Sequence, residues 1–320
     1  MMTENQVQSR SLFEILNRLA PGVAVAGVMS FTAVAILGLG KDDGSWASDF
    51  YWYFAGGQCF LNGSSMYAVE CVGPILKKLY NFSPIAGLSY PPHFAPFTLL
   101  AYLLPVNLAA WLFFVINIAA SIAVALVAAK IATQYSRQHQ NGSQLSHLWI
   151  VLLVFGSSGL WAAIWLGQVT VLVALCIWLS FQKIEQGRIF SAAVLLALAS
   201  VKPQMVALVF FWLLLNGQFR ILVVAAVVAG ILSIYTFMQM GIQPAIESWL
   251  YSLSTYQKYP VNQLGNNTIM GIPSFLALYG MTIPIWASMG FGAIVLVILR
   301  INCSILPFSP LALVQFYCCK

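Results

Sequence analysis

The 320-residue chain is predicted to be an all-α polytopic membrane protein, because 61% of its residues are hydrophobic and only 7% are charged. Soluble domains carry roughly 25% charged residues, and the mean hydropathy here is +0.87. The formal net charge of +6 comes mostly from Lys and Arg scattered singly at the ends of apolar segments. That pattern orients membrane helices; it is not a nucleic-acid footprint. The expected organisation is one integral-membrane domain over residues 1–320, surrounded by membrane lipids, with no nucleic-acid partner.

The elements follow from the apolar runs. Glu4, Arg10, Glu14 and Arg18 precede the first run, and no small-residue cleavage pattern follows before Lys41. Ala20–Leu39 is therefore predicted to be a retained first membrane helix leaving a cytoplasmic N-terminus. The stretch of about 40–106 reads as a long external loop with Asp42, Asp43, Asp49 and Glu70. It includes His93–Leu104, bounded by Pro91-Pro92 and Pro105 and too short to cross roughly 30 Å of hydrocarbon. A re-entrant or interfacial half-helix is expected there.

Asn107–Lys130 is long enough to cross and leads into a polar cytoplasmic segment over 133–147. Leu148–Trp165 returns outward and Val169–Phe181 goes back, so the turn Leu166-Gly167-Gln168 faces outside. Ile189–Val201 and Gln204–Leu215 are separated by Lys202-Pro203. One continuous helix would place a cation near mid-bilayer and a proline in a helix interior, both costly. A hairpin of two short helices with Lys202 at its outer tip avoids both.

Ile221–Met240 then crosses outward, and a second external loop spans about 241–282 with Glu247, Lys258, Asn266 and Asn267. Ile283–Leu299 returns inward, and Ser304–Lys320 does not read as a further helix, which is consistent with a truncated C-terminus. Five of the eight acidic residues (Asp42, Asp43, Asp49, Glu70 and Glu247) fall outside, making that side the expected chemical face. The expected location is the plasma (inner) membrane.

The six cysteines contain no C-x-x-C pair and no His spacing suited to zinc, so no metal centre is expected. Cys59 and Cys71 are read as two free thiols, pairing only if their loop faces an oxidising compartment. No Gly-x-Gly-x-x-Gly or Walker-type loop is present to cradle a nucleotide.

Asp49 is the leading candidate for chemistry. It stands in Ser48-Asp49-Phe50-Tyr51-Trp52-Tyr53-Phe54-Ala55-Gly56-Gly57. On a helix it would share a face with Trp52, Tyr53 and Gly56, an aromatic, glycine-lined surface suited to a sugar ring. The plainer reading is a helix N-cap. Lys202 is either a snorkelling residue at a helix end or a cation held to meet a phosphate. His93 could donate to phosphate or sit in the membrane interface, and Tyr90 could belong to the site or to the aromatic belt. Gln168 could bond a sugar hydroxyl or close helix ends. Asn266-Asn267 could contact sugar or form a turn.

Several signatures occur in order: Asp49 with Tyr53 and Gly56-Gly57; Gly63 and Tyr67; Tyr90-Pro91-Pro92; Trp111; Gly167-Gln168; Lys202-Pro203; and Asn266-Asn267. Over roughly Ser48 to Gly271 this order resembles the family 87 glycosyltransferases. These are polytopic GT-C enzymes that use a polyprenyl-phosphate sugar, usually mannose, as donor. The order also resembles, distantly, the mannosyltransferase that adds the first mannose to the GPI anchor. The resemblance implies a GT-C-like helix bundle with Asp49 as the catalytic base. It further implies that Lys202, His93, Gln168, Tyr90, Tyr53, Asn266 and Asn267 bind the donor phosphate and sugar.

Where relatives carry Asp-x-Asp, this chain has Ser48-Asp49-Phe50-Tyr51. No divalent metal and no cofactor are therefore expected, the lipid-linked sugar being a substrate. The expected reaction is transfer of a hexose, with inversion, to an external lipid or glycan acceptor. An external site has no access to cytosolic nucleotide sugars, so its donor must arrive on a lipid. The alternative is a transporter or lipid flippase, which would place its ionisable groups near the midplane of related halves.

Overall fold

The computed structural model describes residues 46–138, 154–259 and 290–297, with a few isolated positions between 22 and 29 and between 262 and 281. Every regular element among the described residues is a helix. Most of Ala20–Leu39 and of Ile283–Leu299, and both Asn266 and Asn267, lie outside the described residues.

Much of the stretch read as the first external loop is helical. Helix α1 (Ser48–Leu61) and helix α2 (Val69–Tyr80) occupy it. Phe50, Tyr53, Ala55, Cys59 and Phe60 of α1 are buried, so the aromatic run gains packing partners that a solvated loop would lack. The turn between the helices brings Cys59 and Cys71 to a Cα separation of 5.9 Å in a disulfide. This corrects the reading of two free thiols. Sequence separation alone did not reveal that α2 folds back beside the end of α1.

A 3-10 turn at Pro92–Phe94 and helix α3 (Ala95–Tyr102) form the expected short element. Helix α4 (Val106–Gln138) follows, and its Val106–Lys130 portion is long and apolar enough to cross a membrane. Helix α5 (Ser158–Trp165) starts afresh at its N-cap Ser157, whose side chain accepts from the Leu160 N–H. The helix expected over Leu148–Trp165 is thus interrupted, and residues 139–153 lie outside the described residues. The chain then bends by 119° into helix α6 (Thr170–Glu185).

Helices α7 (Ile189–Ala199) and α8 (Pro203–Leu215) replace the costly continuous span. Ala193, Leu196 and Ala197 of α7 share one buried cluster with Leu213 of α8 and with Ile221 and Ala225 of helix α9 (Phe219–Met240). A straight helix through both would hold Ala193 and Leu213 about 30 Å apart, so the chain folds back between them. Helix α9 packs against α7, α8, α3 and the 3-10 turn, and also against helix α10 (Ile242–Tyr256). That last helix fills part of the stretch read as the second external loop. It buries Ala245, Ser252 and Thr255 on one face.

Val223, Val227, Ile231 and Ile234 remain exposed along α9, as do Leu108, Leu112, Val115 and Ile122 along α4. Such continuous apolar surface suits lipid and not water. Among the described residues two helices are long and apolar enough to span a membrane, or three if the bent α5–α6 pair is one span. The chain divides into two units, one of Met1–Phe50 with Ala110–Trp178 and one of Tyr51–Ala109 with Leu179–Lys320.

Candidate functional site

In the unit containing Met1–Phe50, the structure fixes Asp49 through main-chain bonds. Asp49 lies half-buried in the first turn of α1, where the helix dipole favours negative charge. The Ala47 N–H donates to the Trp165 carbonyl and the Asp49 N–H to the Leu166 carbonyl, each at 2.9 Å. Ring contacts reinforce this docking: Trp46 lies 4.8 Å from Trp111, and Phe50 lies 5.2 Å from Phe113.

Gly167 closes the same turn at φ +69°, and a Cβ there would fall 2.8 Å from the Phe50 Cβ. Only glycine accommodates both the left-handed backbone and the close approach. Gln168 follows, its N–H donating to the Ala163 carbonyl at 2.8 Å and its Oε1 accepting from Thr170 Oγ1 at 2.9 Å. Asp49 and the Leu166-Gly167-Gln168 turn, remote in sequence, are therefore neighbours.

In the other unit, Tyr53 has no exposed surface. Its hydroxyl bonds that of Tyr90 at 2.9 Å, and its ring meets Tyr90, Phe94 and Phe97 edge-on. The expectation that Tyr53 offers a ring to a sugar is corrected: the residue is a buried support for Tyr90. Gly56 and Gly57 are packing positions too, because a Cβ on Gly57 would fall 2.1 Å from the Thr98 carbonyl oxygen. Helical periodicity correctly placed these residues on one element, yet it cannot say what covers a face.

Tyr90 is half-buried and stacked on Phe94 at 4.3 Å. Its carbonyl accepts from the Tyr67 hydroxyl at 3.0 Å. Burial raises the Tyr67 pKa above its ordinary value, so this phenol remains a donor.

His93 sits in the 3-10 turn, with Nε2 at 3.0 Å from Ser200 Oγ. Ser200 donates its hydroxyl proton to the Ala197 carbonyl at 2.7 Å. With that proton on the Ala197 carbonyl, Ser200 would accept from Nε2–H, the tautomer in which Nδ1 carries the lone pair. Burial pushes the His93 pKa down to about 4, which keeps the ring neutral at neutral pH. The imidazole therefore offers an acceptor and no formal charge. Its segment is pinned by Thr236 Oγ1, which donates to the Pro92 carbonyl at 3.1 Å.

Ser200 is the residue that sequence reasoning missed. It stands two positions before Lys202 at the end of an apolar run, where a serine reads as an ordinary helix terminator. Lys202 is the half-buried N-cap residue of α8, with Pro203 at the first helical position. Proline there is compatible with the helix and fixes the break. A cation beside a helix N-terminus is a combination that attracts anions, and Ser200 links this break to His93. Among the described residues, no three His, Cys, Asp or Glu side chains are grouped to hold a metal ion.

The profile of glycosyltransferase family 87 matches residues 88–316, more than half of the chain. The match takes in Tyr90, His93, Gln168, Lys202, Asn266 and Asn267 and begins downstream of Asp49 and Tyr53. Searches of curated proteins and of solved structures give no significant match.

Proposed function

The chain belongs to glycosyltransferase family 87, and from that premise we propose that it moves a hexose, specifically mannose, from polyprenyl phosphate to an external lipid or glycan hydroxyl. The observation that carries the donor assignment is the α7–α8 break. There a lysine stands at a helix N-terminus, and Ser200, two residues earlier, contacts the neutral His93 of the 3-10 turn. Phosphate suits the lysine and the helix N-terminus, and a sugar hydroxyl suits the lone pair of the histidine. The Cys59–Cys71 disulfide supports an oxidising, external setting for the α1–α2 region. The family match favours transfer chemistry and lends nothing to transport.

In the proposed reaction Asp49 takes the proton from the acceptor hydroxyl as its oxygen attacks the anomeric carbon. The bond from that carbon to the phosphate oxygen breaks, and its electron pair leaves with the polyprenyl phosphate. Inversion follows from the single displacement. Lys202 and the α8 N-terminus stabilise the charge gathering on the phosphate. His93 Nδ1 accepts a hydrogen bond from a donor-sugar hydroxyl. Gln168, Tyr90, Asn266 and Asn267 supply further polar contacts, and Tyr53 acts only through Tyr90.

The test is transfer of label from polyprenyl-phosphate mannose in membranes containing the protein. Lys202→Gln should raise the donor KM by about tenfold or more, the scale of one lost charge-assisted hydrogen bond, and lower kcat as well. An unchanged donor KM would return Lys202 to a helix-end role. Transfer should survive exhaustive chelation. Transfer from a nucleotide sugar but not from the lipid donor would overturn the donor assignment.

A further inference from the structure

Within the unit of Tyr51–Ala109 and Leu179–Lys320, a hollow of about 320 Å³ opens between the turn after α1 and the first half of α10. Ser65, Tyr67, Met240, Glu247, Ser248 and Tyr251 line it. The size lies at the lower end of the range for small-molecule sites, about 300–1,000 Å³. We propose that this hollow is the acceptor subsite, holding a saccharide ring of a glycan acceptor. The proposal rests on the transferase reading and adds to it a place and a chemical class.

The lining matches a neutral sugar. A pyranose presents hydroxyls around its edge and C–H groups on its faces, so it needs acceptors and donors beside aromatic walls. Glu247 is exposed, and one of its oxygens accepts from Gln243 Nε2 at 2.8 Å; the carboxylate is thereby oriented while its second oxygen can accept from a hydroxyl. Ser65 Oγ donates to the Met240 sulfur at 3.2 Å and accepts from the Tyr67 N–H at 3.0 Å. A thioether is a weak acceptor, so a sugar oxygen would be the better partner for that proton. Tyr251 is exposed and contributes ring surface, while Tyr67 is largely buried and helps fix the wall through its hydrogen bonds. Glu247 is the sole formal charge on the wall and would repel a phosphate, which separates this hollow from the cationic break at Lys202.

The walls are set before any ligand arrives, which lowers the ordering cost of binding. Gln239 Nε2 donates to the Phe60 and Ser64 carbonyls, each at 3.3 Å, tying the α1 turn to the end of α9. The Cys59–Cys71 disulfide closes the same turn onto α2. On the opposite wall, Trp249 Nε1 donates to the Ser89 carbonyl at 3.2 Å. The Tyr67 hydroxyl reaches the Tyr90 carbonyl at 3.0 Å. Both walls are thus bonded to the residues immediately before the turn that carries His93, placing the hollow beside the segment assigned to the donor sugar.

The experiment uses the full chain in lipid nanodiscs, because maltoside detergents present the sugar chemistry being tested. Saturation-transfer NMR with methyl mannoside, methyl glucoside and methyl galactoside, without any donor, should show saturable binding of at least one. Glu247→Gln should weaken that binding by about tenfold or more, and Tyr251→Ala should weaken it severalfold, while affinity for polyprenyl phosphate stays unchanged. Both positions are exposed, so folding should survive. Absence of saturable binding by all three glycosides, or equal affinity in wild type and both variants, overturns the subsite. Glu247-dependent glycoside binding without transfer from polyprenyl-phosphate mannose would sink the donor reading and leave the subsite standing. Transfer with an acceptor KM indifferent to Glu247→Gln would do the reverse.

Discussion

Asp49 and His93 are held in place by different means. The Asp49 segment is fixed by main-chain bonds to Trp165 and Leu166 and by two left-handed backbone positions, Ala47 at φ +56° and Gly167 at φ +69°. The His93 segment is fixed by side-chain hydroxyls: Ser200 on the imidazole, Thr236 on Pro92, and Tyr67 on Tyr90, with Tyr53 behind it. The first arrangement stores its geometry in conformation, where a non-glycine residue at positive φ costs about 1–2 kcal/mol and persists because its surroundings over-determine it. The second stores it in groups that can be deleted one at a time. Substitutions should therefore act sharply in the first region and in graded steps in the second.

The largest effect should come from the reacting group itself. Asn keeps the main-chain N–H that bonds Leu166, so Asp49→Asn should insert and fold normally while kcat falls by about 10²–10⁴-fold, the usual worth of a general base. Donor affinity should hold, since the variant removes no attraction to phosphate. Near-normal transfer in a monodisperse variant would show that the conformational clamp serves packing and not catalysis.

An effect of intermediate size concerns acid. The His93 pKa lies at about 4 in the fold against about 6.5 when unfolded. The unfolded chain therefore binds the extra proton first, and stability falls as pH drops from about 6.5 to about 4. The loss is at most about 3–4 kcal/mol, fully absent above that window. Thermal melts of wild type and His93→Asn across pH 4–7 measure it; equal slopes would show that the imidazole is not held neutral.

Gly167→Ala comes next and tests the conformational clamp directly. It meets both the positive φ and the Phe50 overlap, so about 1–3 kcal/mol should be lost with a fall in transfer. Gly187 has φ +68° but no atom within 4 Å of its built Cβ. Gly187→Ala should thus cost only the backbone term, about 1 kcal/mol. Equal melting temperatures for the two variants would mean the contact with Phe50 is not what constrains the turn.

Much of this scaffold was legible in sequence because lipid imposes strict lengths. The apolar runs behind α4 and α9 could be counted, and Lys202-Pro203 forced a break that the shared α7–α8 cluster confirms. Helices α2 and α10 were not legible. Lys77 and Lys78 in one, and Gln243, Glu247 and Ser248 in the other, make amphipathic helices whose composition imitates a loop. Asp49 could be placed on a helix from its neighbours, but its docking onto Leu166 depends on main-chain groups that every residue possesses. For the same reason the burial of Tyr53 and the role of Ser200 could not be read: the first depends on what covers a helix face, the second on a contact with a residue far earlier in the chain.

The smallest effect is expected for Tyr53→Phe, and it bears most directly on that burial. The substitution removes the hydroxyl bonded to Tyr90 at 2.9 Å but keeps the ring that packs edge-on against Phe94 and Phe97. Tyr90 is half-buried, so its hydroxyl can turn to water and the loss should be about 1 kcal/mol. That corresponds to a melting shift of a few degrees, with transfer reduced no more than severalfold. Tyr67→Phe should cost more than Tyr53→Phe, because it strips the bond that Tyr67 donates to the Tyr90 carbonyl and leaves that acceptor without the phenol. A Tyr53→Phe variant that melts like wild type yet transfers no sugar would mean that the phenol touches substrate after all, and the division between a support at Tyr53 and a contact at Tyr90 would have to be redrawn.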